Sequence, residues 1–140
     1  MRNDPVVGYA PGVYDLFHIG HLNVLRQAKA LCDVLVAGVV GDDVVRRTKG
    51  IDPFVPLAER LEIVRSIDVV DDVYAEHTAD KLDAWHDVRF ARIFKGDDWR
   101  GTPKGDALEE RLGAVGVEVV YFPYTMHTSS THLRRALAAR

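Results

Sequence analysis

His18-Ile19-Gly20-His21 sets two imidazoles three residues apart around a glycine. On a helix that spacing turns both rings to the same side. A helix starting there also offers free backbone N–H groups and positive potential, which together attract anions. Gly20 removes the side chain that would hold a phosphate away from that backbone. A second candidate is the hydroxyl-rich Thr128-Ser129-Ser130-Thr131 ahead of a helical stretch, suited to capping the helix or to holding phosphate oxygens. Lys49 supplies a compact positive charge, although alone it reads as a solvated surface lysine. Asp15 alone reads as a helix-entry residue, Arg60 as a surface charge, and Asp97 with Trp99 as a turn beside a partly buried indole. His77, His86 and His132 lack a partner at ligand spacing. The aspartate pairs 42–43 and 71–72 read as loop and strand-end charges rather than a metal site. Cys32 is the only cysteine, which leaves neither an intrachain disulfide nor a cysteine-based zinc site.

These residues need elements to carry them. Val6–Ala10 reads as a strand ended by the breaker pair Pro11-Gly12. His18–Leu31 reads as a helix with Leu22, Leu25, Ala28 and Leu31 on one face, and Val34–Val40 as a strand buried on both faces. Together they form one right-handed βαβ unit. Gly41–Pro56 reads as a long polar loop, and Pro56 opens a helix whose apolar stripe is Leu57, Leu61, Val64 and Ile67. Further strands are predicted at Val69–Tyr74, Arg92–Lys95 and Glu118–Phe122, with helices at Ala79–Asp87, Asp106–Ala114 and His132–Ala139. Strands alternating with helices predict an α/β domain: a doubly wound, Rossmann-like, five-stranded parallel sheet in three layers, α/β/α. In such sheets ligands bind beyond the carboxyl ends of the strands. The residues singled out above follow those ends.

The 140 residues fit a single domain, 1–140. Apolar residues at 47% and charged ones at 28% argue against a disordered chain. Eighteen basic against 21 acidic residues give a net charge of −3, which points to no nucleic-acid partner and no membrane surface. The longest apolar run, Val34–Val40, is far short of the ~20 residues that span a bilayer. No basic segment followed by an apolar one opens the chain, so a cytoplasmic protein is expected.

Gly12-Val13-Tyr14-Asp15-Leu16-Phe17-His18-Ile19-Gly20-His21 resembles the first signature of the cytidylyltransferase-like nucleotidyltransferases. Lys49-Gly50, Glu59-Arg60, Arg65-Ser66-Ile67-Asp68, Gly96-Asp97-Asp98-Trp99 and Ser129-Ser130-Thr131 fall in the order of that family. Gly-Asp-Asp-Trp is most similar to its glycerol-3-phosphate cytidylyltransferase branch. The resemblance implies transfer of a nucleotidyl group to a phosphorylated acceptor, release of pyrophosphate, a divalent cation such as Mg2+, and a homodimer. It implies catalytic roles for His18, His21 and Lys49. It implies nucleotide contacts for Gly12, Val13, Tyr14, Gly20, Arg60, Gly96, Asp97, Ser129, Ser130 and Thr131, and acceptor contacts for Asp15 and Trp99.

One block departs from the family pattern. Tyr124 and His127 stand where its second signature carries an arginine and a glycine, and His127 is a candidate replacement for the arginine. The departure leaves CTP and ATP both open as the nucleotide. Cytidylyl transfer to glycerol 3-phosphate or a similar small phosphorylated alcohol is the leading expectation. Adenylyl transfer to a sugar phosphate or flavin mononucleotide is the alternative, and a non-catalytic nucleotide-binding module a second one.

Overall fold

The computed structural model describes residues 4–123 and 130–139. Strands β1 (Val7–Gly12), β2 (Val34–Val40), β3 (Asp72–Glu76), β4 (Arg92–Gly96) and β5 (Glu118–Phe122) form one sheet in the order β3-β2-β1-β4-β5. Every pairing is parallel. The connections are α1 (Ile19–Lys29), α2 (Asp42–Lys49), α3 (Leu57–Arg65), α4 (Lys81–Val88) and α5 (Pro103–Gly113), and α6 (Ser130–Ala138) follows β5.

Side-chain alternation along the central strands builds two cores. Ala10, Leu35, Ala37, Val39 and Phe94 face Leu25 and Ala28 of α1 and Val64 of α3. Tyr9, Val36 and Ile93 face Ala84 of α4 and Leu108 and Leu112 of α5. Both faces of β1, β2 and β4 are therefore covered, as a parallel sheet requires. Tyr9 lies flat against Phe90 at 4.5 Å, and its hydroxyl donates to buried Glu76. The ring crosses β2 at Gly38, where any Cβ would come within 2.0 Å of the tyrosine oxygen.

The expected three-layer doubly wound sheet is the one observed, and the largest departure is in the segment expected as a loop at 41–56. Its first half is helix α2. Gly41 supplies the extended N-cap, Val44 and Val45 are buried, Asp42 and Asp43 sit at the positive end, and Arg46, Arg47 and Lys49 at the negative end. Gly50 ends the helix in the left-handed conformation, with φ of 71°. Lys49 is thus the last residue of a helix rather than part of a loop. Strand β3 starts at Asp72 instead of Val69, because Val70 turns into the core before pairing with β2 begins. Helix α5 starts at Pro103, with the Thr102 hydroxyl accepting from the Gly105 amide, and α6 starts two residues before the predicted His132.

The order of strands reverses at β1 and β4. The crevice of such a sheet opens there, beyond the carboxyl ends. Helix α1 starts at that crevice.

Candidate active site

The segment between β1 and α1 is bent into a conformation that side chains seldom adopt. Tyr14 and Leu16 both have positive φ, 56° and 53°. Contacts on each side hold them. The Tyr14 hydroxyl donates to the Ala10 carbonyl at 2.8 Å. Asp15 is buried and accepts from the amides of Phe54 and Val55 at 2.8 and 2.9 Å, and from the Arg134 guanidinium. Asp15 therefore ties together the β1–α1 segment, the segment after α2, and α6.

The two histidines cap the helix they begin. His18 is the N-cap, and its Nδ1 accepts from the Gly20 amide at 3.0 Å. His21 reaches back, and its Nδ1 accepts from the His18 amide at 3.2 Å. This is a capping box built from imidazoles instead of a hydroxyl and a carboxylate. Both Nδ1 atoms act as acceptors, so the proton of each neutral ring sits on Nε2. The rings stack at 4.0 Å, and His21 is held between Tyr14 and Phe17 at 5.4 and 5.2 Å. Burial lowers the pKa of His18 below the usual histidine range. For His21, burial and then the neighbouring His18 lower it to about 3, against an opposing pull from Asp15. Near neutral pH both rings are uncharged N–H donors, already oriented before any ligand arrives.

A cavity of about 370 Å³ opens over this pair. His18, Gly20 and His21 line it from α1, Gly12, Val13, Tyr14 and Asp15 from the preceding segment, and Lys49 from the end of α2. Gly96, Asp98 and Trp99 close it from the β4 side, and Thr131 and Arg134 from α6. Desolvation lowers the pKa of Lys49, and the nearby cations Arg134, Lys104 and Lys81 lower it further, against Asp98. A region this rich in positive charge and N–H donors suits a polyphosphate.

Residues 9–136 match the model of the cytidylyltransferase-like family. The chain belongs to that family. Among relatives of this cytidylyltransferase-like chain, an ethanolamine-phosphate cytidylyltransferase of Arabidopsis thaliana is 44% identical over 120 residues, 80% of this chain and 28% of that protein. An FAD synthase of Thermococcus onnurineus is 46% identical over 117 residues, 82% of this chain and 77% of that one. The chain thus spans little more than a quarter of the first relative and about three quarters of the second. A lipopolysaccharide core biosynthesis protein from Thermoplasma volcanium superimposes with a TM-score of 0.75 at 26% identity, over 89% of this chain and all of that one.

The cytidylyltransferase-like site gathers most of the residues singled out from sequence, with two clear exceptions. Arg60 does not line the cavity. Its side chain is fully buried, donating to the carbonyls of Val13, Val40 and Val55 at 2.7–2.8 Å and pairing with Asp42 at 2.5 Å. It braces the walls of the site from behind. Asp97 is exposed on the short 3-10 turn after β4, and its neighbour Asp98 lines the cavity instead. Ser129, Tyr124 and His127 lie outside the described residues, as does the Ser130 side chain.

Sequence reasoning missed Arg134 and Lys95. Arg134 pairs with Asp15, donates to the Asp52 carbonyl at 3.2 Å and covers the Phe54 ring at 4.6 Å. Lys95 lines the cavity with its ammonium 3.9 Å from the centre of the Trp99 ring. A strand-end lysine directly before Gly-Asp-Asp-Trp was the signal for the second. No sequence signal distinguished Arg134 from Arg135.

Among the described residues no group of three or more His, Cys, Asp or Glu is placed to hold a metal ion. Both carboxylates that line the cavity, Asp15 and Asp98, stand among cations, and Asp15 is already committed to two amides and an arginine. This donor set fits a cation carried on phosphate oxygens better than one caged by the protein.

Proposed function

We propose that this chain moves a nucleotidyl group from a nucleoside triphosphate to a phosphate monoester, releasing pyrophosphate. The observation that carries this reading is the pair of neutral, mutually capped histidines at the start of α1, facing a cavity ringed by Lys49, Lys95 and Arg134. A phosphate monoester is largely dianionic near neutral pH, with a second pKa near ~6. Its oxygen attacks the α-phosphorus without a strong general base. The new bond joins that oxygen to the α-phosphorus, and the bond to the β-phosphate oxygen breaks with its electron pair leaving on pyrophosphate. What such a reaction needs is alignment and stabilisation of charge on the transferring group.

His18 and His21 supply N–H donors for the oxygens of that group. Lys49 and Thr131 face the triphosphate, and Gly12, Val13, Gly20 and Gly96 let it and its nucleoside approach the backbone. A divalent cation enters on the triphosphate and neutralises part of its charge, with Asp98 the side chain best placed to steady it.

CTP is the proposed nucleotide, and glycerol 3-phosphate or a similarly small phosphorylated alcohol the proposed acceptor. The Gly96-Asp97-Asp98-Trp99 turn beside the cavity, similar to that of the glycerol-3-phosphate cytidylyltransferase branch, supports a small acceptor. A second reading, adenylyl transfer to flavin mononucleotide, is supported by the 46% identity to an FAD synthase of which this chain spans 77%. Thermal shift with CTP and with ATP, followed by pyrophosphate release across acceptors of increasing size, separates the two. Stabilisation by CTP and turnover with glycerol 3-phosphate support the first. Preference for ATP with turnover on flavin mononucleotide overturns it in favour of the second.

A further inference from the structure

Strand order sets the charges around the site. β2 and β4 flank β1 in the sheet, so the histidines that follow β1 sit centrally. Lys49 reaches the cavity from the helix after β2, and Lys95 from the end of β4. Arg134 lies on the Lys49 side, because it pairs with Asp15 and covers Phe54, which follows α2. The cations thus reach the cavity from two sides of the sheet, Lys49 and Arg134 from the β2 side and Lys95 from the β4 side.

Displacement at phosphorus places the incoming and departing oxygens roughly in line on opposite sides. Both are carried by anions, and each anion needs its own counter-charge. Lys49, Arg134 and the start of α6 form one group and suit departing pyrophosphate. The other group has a different character. Lys95 lies over the face of Trp99, where cation–π attraction holds the ammonium in place, and Lys104 stands 5.9 Å from the same ring. Lys95 makes no ion pair among the described residues.

Granting the transfer reaction proposed above, we propose that Lys95, seated on Trp99, is the residue that binds and positions the phosphate of the acceptor. An unpaired cation at a water-poor strand end is costly unless an anion arrives to meet it. Burial, then repulsion from Lys81, lowers the pKa of Lys95 to about 8, with Lys49 adding to the effect and Glu76 and Asp98 opposing it. An incoming phosphate relieves that repulsion.

The test is steady-state kinetics on the wild-type protein, Lys95→Met and Lys95→Arg, varying nucleotide and acceptor separately. Met keeps an unbranched chain over Trp99 and removes only the charge. Lys95→Met is expected to raise the acceptor KM roughly 30-fold, the scale of one hydrogen bond to a charged group, while nucleotide KM stays within about threefold. Lys95→Arg restores most of the loss. An acceptor KM within about threefold of wild type, or an equal rise in nucleotide KM, overturns the assignment.

Lysine acetylation read by mass spectrometry adds a readout that needs no turnover. With a non-hydrolysable triphosphate analogue bound, glycerol 3-phosphate or inorganic phosphate is expected to protect Lys95. Equal labelling with and without the phosphate compounds overturns the proposal. If the wild-type protein releases no pyrophosphate with any substrate pair, the transfer reaction fails, and the labelling still decides whether Lys95 binds phosphate.

Discussion

Two substitutions at His21 separate its structural work from its chemistry. In His21→Ala the His18 amide loses the acceptor now 3.2 Å away, and His18 loses the ring stacked on it at 4.0 Å. Losing half of a capping box costs about 1 kcal/mol of stability. The transition state loses one preorganised N–H donor, an effect of about 2.7–4 kcal/mol, or roughly 100- to 1,000-fold in kcat. His21→Gln behaves differently. Glutamine is a usual partner at the third helical position of a capping box, so its amide oxygen takes the His18 N–H, while its flexible amide lacks the fixed N–H direction that Tyr14 and Phe17 impose on the imidazole. Stability is expected to return to within about 0.5 kcal/mol of wild type. Turnover is expected to stay at least ~100-fold down. Urea unfolding measures the first quantity, and pyrophosphate release at saturating nucleotide and acceptor the second. Turnover of His21→Gln within a few-fold of wild type refutes the donor role, whatever its stability.

Acid should destabilise the protein through the same residue: the folded state holds His21 neutral down to about pH 3, whereas the unfolded chain takes up a proton near 6.5. Stability is therefore lost as pH falls from 6.5 towards 3, and the gap between wild type and His21→Gln in urea midpoints should change across that window and be flat above it. Arg60→Met strips donors from three carbonyls, of which that of Val40 is buried, and leaves half-exposed Asp42 without its partner, at an expected cost of about 2–3 kcal/mol. A melting temperature unchanged from wild type would contradict the bracing role. Gly105→Ala pushes a Cβ to within 1.9 Å of the Trp99 carbonyl oxygen, so the turn carrying Trp99 and Asp98 must move. Acceptor KM should rise more than nucleotide KM in that variant, and the reverse order would place the acceptor elsewhere.

Much of this arrangement is legible in the sequence. Alternating valine-rich strands and amphipathic helices carry the layer structure in local pattern, and the His18–His21 spacing carries the anion site. What was not legible depends on contacts across the fold. Val44 and Val45 make α2 a helix only because Val40 and Val13 are there to receive them. Arg60 looks like an exposed helix charge until three strand-end and loop carbonyls converge on it. Asp97 and Asp98 are neighbours of one type, and the 3-10 turn alone decides which faces the cavity. Arg134 is brought to Asp15 across 119 residues of chain.

Quantification of pyrophosphate and of the nucleotidylated acceptor in the same reaction addresses the transfer reaction itself. With CTP, a divalent cation and glycerol 3-phosphate, the two products are expected in equal amounts; neither forms when the acceptor is omitted, and both form at least ~100-fold more slowly when His21 is alanine. Pyrophosphate formed without an acceptor, or binding of nucleotide with no product from any phosphorylated acceptor in the panel, contradicts it.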